Sequence, residues 1–201
     1  VEKAIELLMD EHRLIERVLG SLETFALEVE GGLQPDRSVL ADYGTFFREF
    51  ADACHHGKEE DVLFARMVER GFSRETGPVA VMLHEHRVGR GHVGALREAG
   101  SGTGPLAAVQ AQLAVEHANA FVPLLRGHIL KEDRILYPMA VRLLTADELE
   151  RMAAEFEALE TRLRSDGSYD RLQGLAERLV VGFRPDPGRM AAASQMMGCG
   201  G

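Results

Sequence analysis

The sequence predicts an all-α fold: an up-down four-helix bundle with an additional C-terminal helical hairpin and a flexible tail. Three observations carry this. Apolar residues recur at helical spacing over four long stretches, as in Ile5, Leu8, Ile15, Leu19 and Leu22. Glycine and proline punctuate the gaps between those stretches. No segment alternates convincingly as a strand.

The first stretch runs from about Val1 to Glu30 and stops at Gly31-Gly32. Pro35-Asp36 opens a second, from about Asp36 to Arg70, with Gly71 at its C-terminal end. Gly77-Pro78 starts a third, which continues to about Glu98. The glycine-rich turn 100–104 follows, and Pro105 suits a first helical position. The fourth stretch reaches about Tyr137; Pro123 is expected to kink it and Pro138 to bend or end it. Thr145-Ala146-Asp147-Glu148 reads as a capping box for a fifth helix to about Arg164, and a sixth spans roughly Tyr169 to Val181. The expected divisions are a four-helix bundle over 1–143, a hairpin over 144–182 packed on it, and an extended or disordered tail over 183–201. That tail carries Met196, Met197 and Cys199.

Composition narrows the function classes. The chain has 201 residues, 45% of them hydrophobic, enough for one buried core. Its net charge of −9 disfavours nucleic acid and anionic membranes as partners. No apolar run reaches membrane-spanning length, and Val1-Glu2-Lys3-Ala4 does not read as a signal peptide. The two cysteines, Cys54 and Cys199, lie far apart in sequence and do not make a disulfide framework or a zinc knuckle; a reducing, cytoplasmic setting is expected.

All eight histidines lie at or before His128. His12 shares a stripe with Ile5, Leu8, Ile15 and Leu19. His86 lies with Val79, Met82, Val93 and Leu96, and His128 with Phe121, Leu124 and Ile135. Each stripe points into the core. A single core histidine is usually satisfied by a hydrogen bond. Three on three helices of one bundle call for something shared that coordinates them.

Carboxylates sharpen this reading. His128 and Glu132 are four residues apart, so both reach the same point on one helix face. The segment HHGKEEDVLFA aligns without gaps on HILKEDRILYP, which sets His55 against His128 and Glu59 against Glu132. A competing register pairs His56 with Glu60. Val62, seven residues after His55, and Ala51, four before it, favour His55 and Glu59, with His56 close enough to join an enlarged site. Two facing buried carboxylates repel unless cations sit between them. Glutamates with imidazoles suit a pair of iron or manganese ions in a bundle core; zinc is compatible with the same donors. The Glu-x-x-His spacing of ferritin-type sites is absent, Asp52-x-x-His55 being the nearest approach.

Residues 10–15 (DEHRLI), 55–64 (HHGKEEDVLF), 82–87 (MLHEHR), 128–133 (HILKED) and 136–138 (LYP) together resemble the hemerythrin-like, or HHE cation-binding, family over roughly residues 1–140. The resemblance implies an up-down bundle with two iron ions bridged by an oxo or hydroxo group. It assigns His86 and His128 to one iron. It assigns His12 and His55 to the other, with His56 as an additional ligand, and has Glu59 and Glu132 bridging. Two departures stand out. Oxygen-carrying hemerythrins have a histidine where this chain has Arg90, and an aspartate five residues after the last histidine where this chain has Glu132 at four, followed by Asp133. A site with fewer histidines at the first iron favours reaction with, or sensing of, oxygen, peroxide or nitric oxide over reversible oxygen carriage.

Other residues read more plainly. His84 and His92 are expected to be half-exposed. His117 shares the face of His128 but sits roughly 16 Å away along the helix, so it is expected to be a hydrogen-bonded core histidine. Cys54 reads as a small packed hydrophobe, and Tyr137 as an aromatic packed over the site. Gly89, Gly91 and Gly94 permit close helix packing or a path for a diatomic ligand. Three functional readings follow: an iron protein, either a binder or an oxidoreductase, that binds or reacts with a diatomic ligand or peroxide; a metal- or oxygen-responsive module whose amphipathic hairpin meets a partner or a second copy; and a structural zinc or manganese site.

Overall fold

The computed structural model describes residues 2–196. Four long helices form the bundle. Helix α1 is Lys3–Glu30. Helix α2 covers 37–69 and is capped by Asp36, whose side chain accepts from the Ser38 amide at 2.9 Å. Helix α3 is Gly77–Ala99, and helix α4 covers 108–143. The C-terminal hairpin pairs α5 (Ala146–Ser165) with α6 (Ser168–Gly182). The expected capping box at Thr145 and Glu148 is formed. Among the described residues there is no strand, and no helix is long and apolar enough to cross a membrane.

Glycine sets the first break. Gly32 has φ of +102°, which lets the Leu33 amide reach back to the Glu28 carbonyl and close α1.

Within the bundle α4 packs on α3 and α1, and α2 packs on α3. The hairpin lies against α1, with α6 also reaching α2. Buried apolar side chains fall into two clusters. One gathers Leu19, Phe25, Phe46, Phe47 and Phe121 and is extended by Leu172, Leu175 and Leu179 of α6. The other gathers Leu8, Phe64, Met82 and Tyr137 and is extended by Leu149, Met152 and Phe156 of α5. Each half of the hairpin therefore completes one half of the core. Fully burying one such leucine or phenylalanine contributes about 1.5–3 kcal/mol. The Ser21 hydroxyl ties the layers together: it donates to the Leu179 carbonyl at 2.8 Å and accepts from Tyr43 at 2.6 Å.

Two long helices depart from α geometry. Residues Phe47–His56 and Glu59–Leu63 of α2, and Glu132–Leu136 of α4, are π-helical. Such segments are uncommon and concentrate at functional sites. The sequence repeat is thus a structural one: Glu59 and Glu132 each open a five-residue π turn, followed by Phe64 and Tyr137.

The π turns overturn two details of the helical stripes. Ile135, expected beside His128 in the core, is 54% exposed, and Val62 is only partly buried. The extra residue per turn rotates both outward and brings Leu63, Phe64, Leu136 and Tyr137 inward. The preference for His55 and Glu59 stands on geometry, but not through Val62. Helix α4 also runs through Pro138 rather than ending there, because Pro138 sits in the first turn of the α segment that follows the π turn.

The tail from 183 was expected to be extended or disordered. Instead Phe183 packs edge-on against Phe25 at 5.1 Å, and Pro185 crosses α1 at Gly20, where a Cβ would come within 2.8 Å of it. Helix α7, Pro187–Met196, follows. Asp186 starts it by accepting from the Gly188 and Arg189 amides, and Pro187 has a suitable φ for a first turn. Met197 and Cys199 lie outside the described residues.

Candidate metal centre

Between the two apolar clusters lies a polar layer made of Glu11, His12, His55, His56, Lys58, Glu59, His86, His128 and Glu132, all buried. Its inner atoms converge into two groups. His12, His55, Glu59 and Glu132 form one, and His56, Glu59, His86 and His128 the other; within each group the donor atoms lie within 4.8 Å of one another. His12 Nε2 is 3.4 Å from Glu132 Oε2, and His55 Nε2 is 3.7 Å from Glu59 Oε2. In the second group His86 Nε2 is 3.4 Å from Glu59 Oε2, and His128 Nε2 is 3.1 Å from Glu132 Oε1. Glu59 belongs to both groups, and Glu132 reaches from the first to His128 of the second.

All seven residues singled out in the sequence meet here, with one rearrangement. His56 joins His86 and His128, not His12 and His55. The π-helical stretch Phe47–His56 explains this, since wider turns let two consecutive residues both face inward. The imidazole missing at Arg90 is therefore made up from α2. The group with fewer imidazoles is the one around His12 and His55, not the one around His86 and His128. The competing register fails: Glu60 is 20% exposed and turns to His86 Nδ1 and Arg90.

The outer atoms form a closed circuit. His12 on α1 meets Asp133 of α4 at 2.7 Å, and His128 on α4 meets Glu85 of α3 at 2.9 Å. His86 on α3 meets Glu60 of α2 at 2.7 Å, and His55 on α2 meets Glu11 of α1 at 2.9 Å. His56 is paired with Asp52 one turn earlier, at 3.4 Å. Ionised carboxylates only accept, so each Nδ1 carries the proton and each Nε2 faces the centre. Carboxylates that orient imidazoles in this way are the usual outer partners of metal-bound histidines. Cations stand behind them: Arg13 on Asp133, Lys58 on Glu11, Arg90 on Asp52 and Glu60, and Lys131 on Glu85.

Sequence reasoning missed this outer layer. Its signal was present: Glu11, Glu60, Glu85 and Asp133 each adjoin an inward-facing residue. A neighbour on a helix points about 100° away, toward the next helix, so each acid serves a histidine other than its own neighbour.

Electrostatics show what the layer requires. Burial opposes charge on His12 and His128, but Asp133 and Glu132 raise His12 to about 9, and Glu132 and Glu85 raise His128 to about 10. Burial likewise opposes ionisation of Glu132, yet His128 and His12 hold it well below the ordinary carboxylate range. Burial, with Glu59 and Glu132 nearby, pushes the Tyr137 phenol well above its usual value, so it stays neutral and donates to Glu59 Oε1 at 2.7 Å. Four buried atoms of this layer have no hydrogen-bond partner: His55 Nε2, Glu59 Oε2 and both carboxylate oxygens of Glu132. Unpartnered buried donor atoms of this kind are costly, and they fit a bound cation.

Of the remaining histidines, His84 is exposed, and His117 pairs with His92, Nδ1 to Nδ1 at 3.0 Å. A cavity of about 50 Å³ reaches the second group, lined by His56, His128, Gly89, Val93 and Phe121 with Arg90 at its rim.

The four-helix architecture and its buried histidine–glutamate layer define a cation-binding helical bundle. The chain matches the hemerythrin HHE cation binding domain over residues 3–140, and it belongs to that family. No curated protein and no solved structure matches it.

Proposed function

We propose that this chain holds a pair of iron ions, one among His12, His55, Glu59 and Glu132 and the other among His56, His86, His128 and Glu59, with Glu132 shared between them. The pair binds or reacts with oxygen, peroxide or nitric oxide. The observation that carries this is the convergence of five imidazoles on Glu59 and Glu132, where Glu59 Oε2 and both Glu132 oxygens have no hydrogen-bond partner. Iron in such a site supplies Lewis acidity and one-electron redox chemistry.

The protein's own residues supply the rest. Asp133, Glu11, Asp52, Glu60 and Glu85 fix the imidazoles. Tyr137 holds a proton between Glu59 and His12, 2.7 Å from one and 3.3 Å from the other. The apolar walls of the cavity exclude bulk water, and its volume of about 50 Å³ admits a molecule the size of peroxide or a diatomic gas. We place the protein in a reducing, cytoplasmic setting, where the buried Cys54 thiol persists.

Metal analysis with a visible spectrum tests the proposal. Two irons per chain and a ligand-to-metal absorption band that responds to peroxide, azide or nitric oxide support it. Zinc alone after expression in iron-replete medium overturns it. Peroxide consumption lost in His128→Ala separates an oxidoreductase from a sensor.

A further inference from the structure

The carboxylate behind His55 is held differently from the others. Glu11 accepts from His55 through one oxygen and from Lys58 Nζ through the other, at 2.7 Å. Lys58 is fully buried, and its second partner is Glu160 of α5 at 2.9 Å. Phe156, one turn before Glu160, sets its ring 5.7 Å from the same ammonium. By contrast Arg13, Arg90 and Lys131, which stand behind the other carboxylates, are 52%, 38% and 38% exposed, and the carboxylates they hold all lie in the bundle. Water screens those three and can replace their partners. Lys58 has no such substitute, so its position depends on α5, which lies outside the family-matched residues 3–140.

We infer that Glu160 is a positioning residue for the metal held by His55, acting through Lys58 and Glu11, so that docking of the C-terminal hairpin sets the geometry of one metal position and not the other. This rests on the metal-binding reading above. Lys58 is anchored between two carboxylates and an aromatic ring. Removing Glu160 frees its ammonium to turn outward. Glu11 then loses the partner that fixes its second oxygen, and the His55 ring loses its defined orientation. Outer partners of metal-bound histidines typically change affinity by about 10- to 100-fold when removed.

The test uses the full-length chain loaded with iron, titrated against a competing chelator to obtain both affinities, with the absorption spectrum recorded alongside. Glu160→Ala is expected to weaken one of the two positions by about tenfold, at the low end of that range because Glu160 is two links from the imidazole, and to shift the absorption band. Glu160→Gln keeps an oxygen acceptor for Lys58 and is expected to restore most of the loss. Glu155→Ala, on the same helix as Glu160, removes an exposed ion pair with Arg66 of α2 and is expected to match the parent. If Glu160→Ala fails to fold, Lys58→Met carries the test, since it removes the buried ammonium while keeping an apolar chain of similar length. It is expected to show the same selective loss. Folded Glu160→Ala or Lys58→Met with both affinities and spectrum at parent values overturns the inference, as does equal loss at both positions. A parent chain that takes up no metal overturns the metal-binding reading itself, and that outcome is read on the parent alone.

Discussion

His86 and His128 face each other with Nε2 atoms 3.0 Å apart, while the Nδ1 atom of each is bonded to a carboxylate from a neighbouring helix. With both Nδ1 protons committed, the gap holds one proton at most. Against the cost of burial, the surrounding carboxylates raise both imidazoles, and His128 also lies 3.1 Å from Glu132. The contact makes sense as two lone pairs gathered for a cation, with a proton standing in when no cation is bound.

Metal uptake should therefore release protons. His12 and His128 hold theirs up to about 9 and about 10 in the metal-free protein, so a metal must displace them at neutral pH. Apparent metal affinity is expected to rise as pH increases from 7 toward 10. The same groups act oppositely on the metal-free fold. Their folded values lie above the ordinary 6.5, so the stability they contribute is complete below that pH and is lost as pH climbs through 9 and 10. Chelator-treated protein should unfold at lower denaturant as pH rises through this window, with the iron-loaded protein much less affected. A metal-free stability that increases over the same range would contradict this.

Arg90 is expected to act on the position opposite to Glu160. Its guanidinium donates to Asp52 and Glu60, each at 2.7 Å, and those carboxylates hold His56 and His86. Arg90→Ala should weaken the His56–His86–His128 position by less than Glu160→Ala weakens its own, because water can replace an exposed guanidinium, and should spare the other. Two-step chelator competition reads both affinities.

Gly89 is a control point for access. It lines the cavity, and a Cβ added there would meet Phe121 at 3.4 Å, an ordinary contact. Gly89→Leu must place its longer chain in the remaining space. Stopped-flow mixing with azide or peroxide should show slower reaction at unchanged iron content. Parent rates in this variant would place the entry elsewhere.

Away from the metal, Thr145→Ala should cost about 1 kcal/mol by breaking the capping box of α5. Urea unfolding measures it, and iron content should stay at the parent value.

The bundle was legible because helix periodicity, glycine stops and the Asp36 and Thr145 caps all act within a few residues. His12, His86, His128 and Glu132 were legible for the same reason: each sits in an apolar stripe or at i, i+4 spacing, which fixes its face. The π turns were not. A helix of uniform period gives no local sign that one hydrogen-bond step has widened, so periodicity sets Ile135 and Val62 on the wrong side, and the family resemblance sets His56 with His12 and His55 rather than with His86 and His128.

By itself, then, the sequence determined that three core histidines and two glutamates share one layer of a four-helix bundle, because burial forces polar side chains on inward stripes toward one another. Only the tertiary structure decided how they are partnered. The circuit that joins His12 to Asp133, His128 to Glu85, His86 to Glu60 and His55 to Glu11 depends on which helices stand side by side. The last link, from Glu11 through Lys58 to Glu160, depends on a hairpin whose contact with the site spans 102 residues of sequence. No spacing rule encodes that distance; packing of α5 onto the bundle brings it about.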